Sequence, residues 1–216
     1  QAEDGFGDAQ ESRGLGEVYK SQIALPQAQK DILRALHQAG KKIILVNFSG
    51  SAIGLEEEAD YVSAIIQAWY PGQAGGTALA EVLFGDYNPA GRLPVTFYKN
   101  IGQLPDFEDY SMKGRTYRYF EGDAQFPFGY GLSYTTFSYD RPQLSSTEVA
   151  ADGSATLSVK VSNTGNYDGE EVVQLYLQNP DDADGPTKAL RGFERVFVPK
   201  GETVELRFAL SAEVLE

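Results

Sequence analysis

The sequence contains no cysteine and one histidine, His37. Without cysteine the chain can form no disulfide, no thiolate metal site and no thiol nucleophile. One histidine also excludes a multi-histidine metal site, and His37 lies in a helical pattern with no nucleophile motif nearby. We therefore interpret His37 as a surface residue of a helix, and we expect neither a metal nor a cofactor.

The chain also has few basic residues compared with acidic ones. The chain has 18 Lys and Arg against 31 Asp and Glu, a net charge of -13. Nucleic acids and anionic lipids attract clusters of Lys and Arg, so we expect neither a nucleic-acid nor a membrane partner. An acidic chain suits a neutral substrate, although the same charge also keeps proteins soluble. Hydrophobic residues make up 42% of the chain, which is enough for packed cores and argues against disorder.

The start of the chain resembles an interior cut. Gln1 is not an initiator Met, no signal peptide opens the sequence, and residues 1–24 are polar and rich in glycine. This segment predicts a loop, and we expect it to continue a longer protein. No apolar run reaches the length of a membrane span.

The first half of the chain alternates helices with apolar runs, which predicts an α/β domain with a mostly parallel sheet. The predicted elements are a helix from Pro26 to Ala39 ended by Gly40, strands at Ile43–Phe48 and Val62–Trp69, and a helix at Gly75–Phe84 closed by Gly85. We expect the strand at Ile43–Phe48 to be buried on both faces. The acidic run Glu56–Glu58 matches no catalytic pattern and is interpreted as a solvated face.

The second half predicts short strands separated by turns and no long helix. The candidate strands are Thr156–Val161, Val172–Leu177, Leu190–Val198 and Thr203–Phe208. Strands of this length and spacing are typical of an immunoglobulin-like β-sandwich. The sequence thus predicts an α/β domain over residues 1–133 and a β-sandwich over residues 134–216.

Two kinds of segment carry chemical information. Trp69–Gly76 joins a strand to a helix through glycines, which allows phosphate binding, but the absence of Gly-Lys-Ser/Thr favours a tight packing turn. The loops Leu83–Phe97, Asp109–Tyr119 and Pro127–Tyr134 are rich in aromatic residues. Aromatic rings stack on sugars, while Arg and Asp bond hydroxyl groups. Packing between domains explains such loops equally well.

The ordered motifs AWYPGQAGGTALAEVLFGDYNPAGRLPVTF, DYSMKGRTYRYF and FPFGYGLSYTTF resemble glycoside hydrolase family 3, the β-glucosidase and β-xylosidase family. The resemblance runs from Leu25 to the end of the chain. It implies the C-terminal part of the family's α/β sandwich domain, followed by its fibronectin type III-like domain. It also implies a TIM-type barrel N-terminal to this chain, as the partner with which the chain would cleave β-linked oligosaccharides or glycosides.

The resemblance further implies a retaining, exo-acting mechanism with two carboxylates. The family's nucleophilic Asp lies in the barrel, so we expect no nucleophile within this chain. The acid/base Glu lies shortly before the Leu-Pro that is Leu25-Pro26 here. It is either Glu3, in a degenerate motif, or a residue upstream of Gln1, which we favour; Glu11 and Glu17 fit less well.

Sugar-binding residues are implied mainly for the barrel. Within this chain, Tyr110 and Arg115 are the candidates for substrate binding, with domain packing as the alternative. Arg92 and Pro94 are expected to brace their loop. The overall type suggests a periplasmic or secreted protein.

Two other functions are open at this stage. The chain could be a non-catalytic carbohydrate-binding or scaffolding module, which exposed aromatic residues on the β-sandwich would favour; the strand patterns offer only Tyr167 and Tyr176. A phosphate-binding regulatory domain is disfavoured because the sequence has no Gly-Lys-Ser/Thr.

Overall fold

The computed structural model describes residues 23–106, 108–150 and 153–215. These residues form two compact units. The first belongs to Gln1–Gly76 and Val95–Phe128, and the second to Thr77–Pro94 and Gly129–Glu216. The units are defined by contacts rather than by one break in the chain, so the domain boundary after residue 133 stays a prediction.

The first unit is built on a helix and a pair of parallel strands. Helix α1 (Gln27–Gln38) begins after Pro26, whose fixed φ suits a helix start, and it ends before Gly40, which has φ +67°. Strand β1 (Ile44–Asn47) pairs in parallel with β2 (Ala64–Gln67). The predicted helix, its glycine stop and the parallel pair are therefore confirmed.

A small apolar core stabilises this unit. Its buried members are Leu25, Leu33, Ile43 and Leu55. Leu45 packs against this cluster, whereas the neighbouring Ile44 is half exposed, because successive side chains of a strand point to opposite faces. The prediction that this strand is buried on both faces is therefore wrong: the described part of the chain places no layer over Ile44.

Helix α2 (Gly75–Phe84) ends before Gly85, which has φ +84°, as predicted from the sequence. Three shorter helices among the described residues of the first unit were not predicted. They are two 3₁₀ turns at Glu58–Asp60 and Ile101–Gln103 and helix α3 (Thr116–Tyr119).

The second unit contains two antiparallel sheets. Its strands are β3 (Phe137–Tyr139), β4 (Gln143–Leu144), β5 (Ser154–Asn163), β6 (Gly169–Leu177), β7 (Ala189–Val198) and β8 (Thr203–Ser211). Strand β5 is central in one sheet, with β8 along one edge and β3 and β4 along the other, and β6 pairs with β7 in the second sheet. All four predicted strands are present, whereas β3, β4 and helix α4 (Ala212–Leu215) were missed.

The two sheets share one core, which makes the unit a β-sandwich as predicted. Val159 and Val161 of β5, Val173 of β6 and Leu206 of β8 form its buried centre. Every second residue of β6 is buried, as expected for a strand with one face on the core.

Strand β7 is an edge strand among the described strands of the sandwich. It has ten residues and pairs only with β6 among the described strands. Phe193 and Phe197 are exposed, and their even spacing puts them on one face of β7.

Asn163 links both sheets through a buried network of hydrogen bonds. Its Oδ1 accepts from the hydroxyl of Thr135 (2.6 Å) and from the N–H of Gly165 (3.1 Å). Its Nδ2 donates to the carbonyls of Tyr167 (2.8 Å) and Val198 (2.9 Å). One side chain thus satisfies four polar groups around the β5–β6 turn.

We expect Asn163→Ala to lower the free energy of unfolding by about 3 kcal/mol, because it leaves several buried polar groups without partners. Denaturant unfolding followed by circular dichroism measures the change. Asn166→Ala, in the exposed part of the same turn, is the control and should change stability by less than about 0.5 kcal/mol. Equal effects of the two substitutions would contradict the role given to Asn163.

Candidate functional site

A polar network closes the carboxyl ends of β1 and β2. Asn47, the last residue of β1, donates from Nδ2 to Gln67 Oε1 (2.7 Å) and to Ser49 Oγ (3.2 Å). Gln67, the last residue of β2, donates from Nε2 to the carbonyl of Ser49 (3.1 Å). Ligands of open α/β sheets bind beyond the carboxyl ends of the strands, so this edge is the first place to seek a site.

Trp69, just beyond this edge, has a strained backbone, and Tyr70 follows it. Trp69 has φ +54°, a region that costs a bulky residue energy and that is common at functional sites. A Cβ at Gly50 would lie 2.5 Å from Cε2 of Tyr70, so the tyrosine ring rests directly on the Gly50 backbone. The ring is held in place, yet Tyr70 remains 71% exposed.

Aromatic contacts hold the side chain of Trp69 in place. Its ring meets Phe97 edge to face at 6.2 Å, and Phe97 meets Phe126 in the same way at 6.3 Å. The backbones of Phe97 and Phe126 also form an antiparallel bridge. The strained turn therefore rests on a firm aromatic base within the first unit.

Arg115 holds the loop that precedes it. Its Nε donates to the carbonyl of Ser111 (2.9 Å), and its Nη2 donates to the carbonyls of Asp106 (3.2 Å) and Asp109. Hydrogen bonds from Ser111 keep the pKa of the Asp109 carboxyl below its usual range. Tyr110, at the tip of this loop, is 89% exposed. Arg115 thus braces a loop that presents an aromatic ring to solvent.

The residue after Arg115 carries the second strained backbone of the first unit. Thr116 has φ +56°, and its N–H donates to the hydroxyl of Tyr98 (3.1 Å). Tyr98 packs edge to face on Phe120 at 4.9 Å. The loop and helix α3 are therefore fixed at their junction.

The acidic run Glu56–Glu58 differs from its predicted state. Glu57 is exposed, and its carboxylate lies 2.5 Å from the guanidinium of Arg34. The hydrogen bond and the charge of Arg34 hold the pKa of the Glu57 carboxyl below its usual range. Glu58 is instead 1% exposed, with Lys30 Nζ at 3.7 Å from its Oε1. A solvated face is therefore wrong for Glu58, because the 3₁₀ turn at Glu58–Asp60 rotates this side chain inward.

Within the second unit, Arg92 lies in a buried ion pair. Its Nη2 donates to Glu171 Oε2 at 2.7 Å, and both side chains are almost fully buried. Its Nη1 donates to the carbonyl of Gly91 at 3.1 Å. Burial, with the charge and hydrogen bond of Glu171, raises the pKa of the neighbouring Tyr139 hydroxyl. Arg92 thus braces its own loop against β6, as expected from the sequence.

The predicted site residues are only partly placed. Glu3, Glu11 and Glu17 lie outside the described residues. Tyr110 and Arg115 share one loop of the first unit. The sequence placed Tyr70 in the turn Trp69–Gly76 and Glu58 in a solvated acidic run, and it predicted a substrate-binding role for neither. Tyr70 could have been found from its position at the carboxyl end of a parallel strand, next to Pro71.

The described residues contain neither a cluster suited to a metal ion nor a helix suited to a membrane span. No group of three His, Asp or Glu side chains in the described residues is arranged to hold a metal ion. No described helix combines the length and the apolar character needed to cross a bilayer.

Comparison with known proteins identifies both parts of the chain. The model of the glycosyl hydrolase family 3 C-terminal domain matches residues 6–134. The model of the fibronectin type III-like domain matches residues 171–216. The α/β part followed by a β-sandwich is therefore the arrangement that the sequence predicted.

The names of the relatives describe enzymes that act on β-linked sugars. The chain is 57% identical to a xylan 1,4-beta-xylosidase of Xylanibacter ruminicola, over 91% of this chain and 22% of that protein. It is 39% identical to a periplasmic beta-glucosidase of Salmonella typhimurium, over 95% of this chain and 29% of that protein. The chain thus spans less than a third of these relatives.

A solved structure agrees with these relatives. Beta-glucosidase 3B from Thermotoga neapolitana, in complex with glycerol, aligns with a TM-score of 0.80 and 30% identity, over 89% of this chain and 30% of that one.

We expect Arg115→Met to loosen the loop Asp106–Gly114, because three hydrogen bonds to backbone carbonyls are lost. Hydrogen exchange of the loop amides should accelerate by about tenfold or more. Tyr110→Ala is the control, since its exposed ring contributes little to packing, and the exchange of neighbouring amides should not change. Unchanged exchange in Arg115→Met would contradict the bracing role.

Proposed function

Because the chain belongs to glycosyl hydrolase family 3, we propose that it is the C-terminal portion of a retaining, exo-acting β-glycosidase. The whole protein would remove terminal non-reducing sugars from β-linked oligosaccharides, as a β-xylosidase or a β-glucosidase. The likeness to the xylan 1,4-beta-xylosidase carries this proposal. The acidic charge of the chain also suits a neutral substrate.

The chemistry requires two carboxyl groups about 5 Å apart, one to attack the anomeric carbon and one to act as acid and then base. We propose that an N-terminal barrel supplies the nucleophile and that this chain supplies at most the acid/base. Glu3 and a residue upstream of Gln1 are the two alternatives for that role. An acid of this kind needs a raised pKa in order to hold its proton near neutral pH.

We propose that the loop around Tyr110 borders the sugar-binding pocket. The exposed ring of Tyr110 offers a flat face for a sugar, and the bonds of Arg115 keep the loop in one conformation, which lowers the entropy cost of binding. Three of the five N–H donors of Arg115 serve backbone carbonyls. A further N–H of this guanidinium would reach a sugar hydroxyl.

Tyr70 is a second exposed aromatic residue of the first unit. Its ring is fixed on Gly50 and lies just beyond the carboxyl end of β2, where α/β folds place ligands. We propose it as a second aromatic contact for the substrate.

A carbohydrate-binding module is the second candidate function. Phe193 and Phe197, exposed on one face of β7, favour it, and so does the exposed Tyr167. Tyr176 does not, because its hydroxyl donates to Gln174 Oε1 at 2.5 Å and Lys188 Nζ lies 4.8 Å from its ring centre.

We also propose a periplasmic or secreted location. One relative is named a periplasmic enzyme, which supports this compartment. Cell fractionation of the source organism tests it.

The activity is tested with aryl β-xyloside and aryl β-glucoside, comparing the 216-residue chain with the full-length protein. We expect the full-length protein to hydrolyse at least one substrate with retention of anomeric configuration and the chain alone to be inert. Hydrolysis by the chain alone would overturn the proposed division of the carboxylates. Binding of insoluble xylan by the chain, together with an inactive full-length protein, would favour the second candidate.

We expect Tyr110→Ala in the full-length protein to raise KM for a β-linked oligosaccharide by about three- to tenfold, the value of one stacking contact. Tyr110→Phe keeps the ring and should retain KM. A normal KM in Tyr110→Ala would show that this ring does not contact the substrate.

A further inference from the structure

Helix α1 exposes an apolar stripe that the described residues leave largely uncovered. Ile32 and Leu36, one turn apart on this helix, are 61% and 41% exposed, and the neighbouring Ala28 and Ala35 are exposed as well. These four residues form the α1 stripe. Only Leu33 of the helix is buried in the core of the unit. A helix whose apolar sector is wider than its contact with the core is expected to pack against a further element.

The opposite side of α1 already has a neighbour. Arg34 pairs with Glu57 at 2.5 Å, and the ring of His37 lies 5.0 Å from the ring of Tyr61. Glu57 and Tyr61 belong to residues 48–63, the connection between β1 and β2. Because a helix turns by about 100° per residue, the α1 stripe points away from Arg34 and from this connection.

The helix and the connection cover the same face of the β1–β2 pair. Leu33 of α1 and Leu55 of the connection are buried in one core, and Leu45 of β1 and Ile65 of β2 pack against it. Connections between parallel strands are right-handed, so two of them on one face lead in the same direction across a sheet. A strand that leads through α1 into β1 therefore lies along the edge of β1 opposite to β2. The α1 stripe points to the same side.

Strand β1 itself has the pattern of an interior strand. Leu45 faces the core, while Ile44 and Val46 point to the other face of the sheet, where their register partners are Ala64 and Ile66. Strands that are apolar on both faces are typical of parallel sheets with neighbours on either side. Among the described strands, however, β1 pairs only with β2. The edge of β1 opposite to β2 is called its free edge below.

The length of the relatives points to what covers this surface. The chain covers 22% of the xylosidase and 29% of the periplasmic glucosidase, so most of each relative has no counterpart here. A strand that pairs in parallel with β1 needs a crossover into it, and α1 is placed as that crossover. A second copy of the chain fits less well, because the net charge of -13 repels it.

We propose that the free edge of β1 and the α1 stripe bind a strand and a helix of the same protein, from the part that precedes Gln1. The strand extends the β1–β2 sheet, and the helix packs on Ile32 and Leu36. This docking rests on the proposed function in one respect, namely that the chain is the C-terminal portion of a longer protein. It requires neither a bound sugar nor catalytic activity.

Thiol labelling tests the stripe, because the chain contains no cysteine of its own. We expect Ile32→Cys to react with a maleimide at least about tenfold more slowly in the full-length protein than in the 216-residue chain, since a covered thiol reacts only through local opening. Gln38→Cys, exposed on the other side of α1, is the matched control, and its two rates should agree within about twofold. Mass spectrometry of the labelled peptide distinguishes this thiol from any outside the chain.

Hydrogen exchange tests the free edge without any substitution, and so remains informative should Ile32→Cys disturb folding. We expect the amides of β1 to exchange at least about tenfold more slowly in the full-length protein, because a paired edge protects its N–H groups. The amides of β5, which has neighbours on both edges, should exchange alike in the two proteins.

Equal labelling of Ile32→Cys in both proteins, with unchanged exchange in β1, would overturn the docking. Labelling of the isolated chain that slows as its concentration rises would assign the stripe to a second copy, with the same consequence. Hydrolysis of an aryl glycoside by a full-length protein with an unprotected stripe would overturn this inference and leave the proposed function intact. A protected stripe in a full-length protein that hydrolyses neither substrate would support the docking and count against the proposed function.

Discussion

The pairing of Asn47 with Gln67 is the contact on which the geometry of the candidate site depends. These residues end two parallel strands in register, and their side chains bond each other at 2.7 Å. The chain segments that leave the two strands therefore begin side by side, which brings the ring of Tyr70 onto the backbone of Gly50. The hydrogen bond between Asn47 and Gln67, the last paired residues of the two strands, thus sets where both following loops begin. The strain at Trp69 persists because its ring is held by Phe97.

Short-range sequence patterns predicted most of the helices and strands. Gly40 and Gly85 were expected to stop their helices, and both have the positive φ that favours glycine. The four long strands of the sandwich followed from alternation between turn residues, because one face of each lies on a core. The short strands β3 and β4 were missed since strands of three and two residues are too short to show a period.

The site was harder to predict, because its residues are defined by contacts between distant segments. Glu58 stands in a run of three acidic residues, which indicates solvent, yet a single 3₁₀ turn takes it out of water. Arg115 was expected to bind sugar or to pack domains together. The structure adds a third role, because Arg115 donates hydrogen bonds to three backbone carbonyls of its own loop. Arg92 was expected to brace a loop, and its partner Glu171 is 79 positions away in sequence, so the sequence could not name it.

The open edge of β7 has a consequence for the behaviour of the chain in concentrated solution. A ten-residue strand that pairs with one neighbour among the described strands can pair along its other edge with another molecule, and the exposed rings of Phe193 and Phe197 would add apolar contact to such a pair. The net charge of -13 repels two approaching copies, and dissolved salt screens that repulsion. Colloidal stability of the chain therefore rests on ionic strength: dilute buffers keep the copies apart, whereas strong brines permit them to associate through this strand.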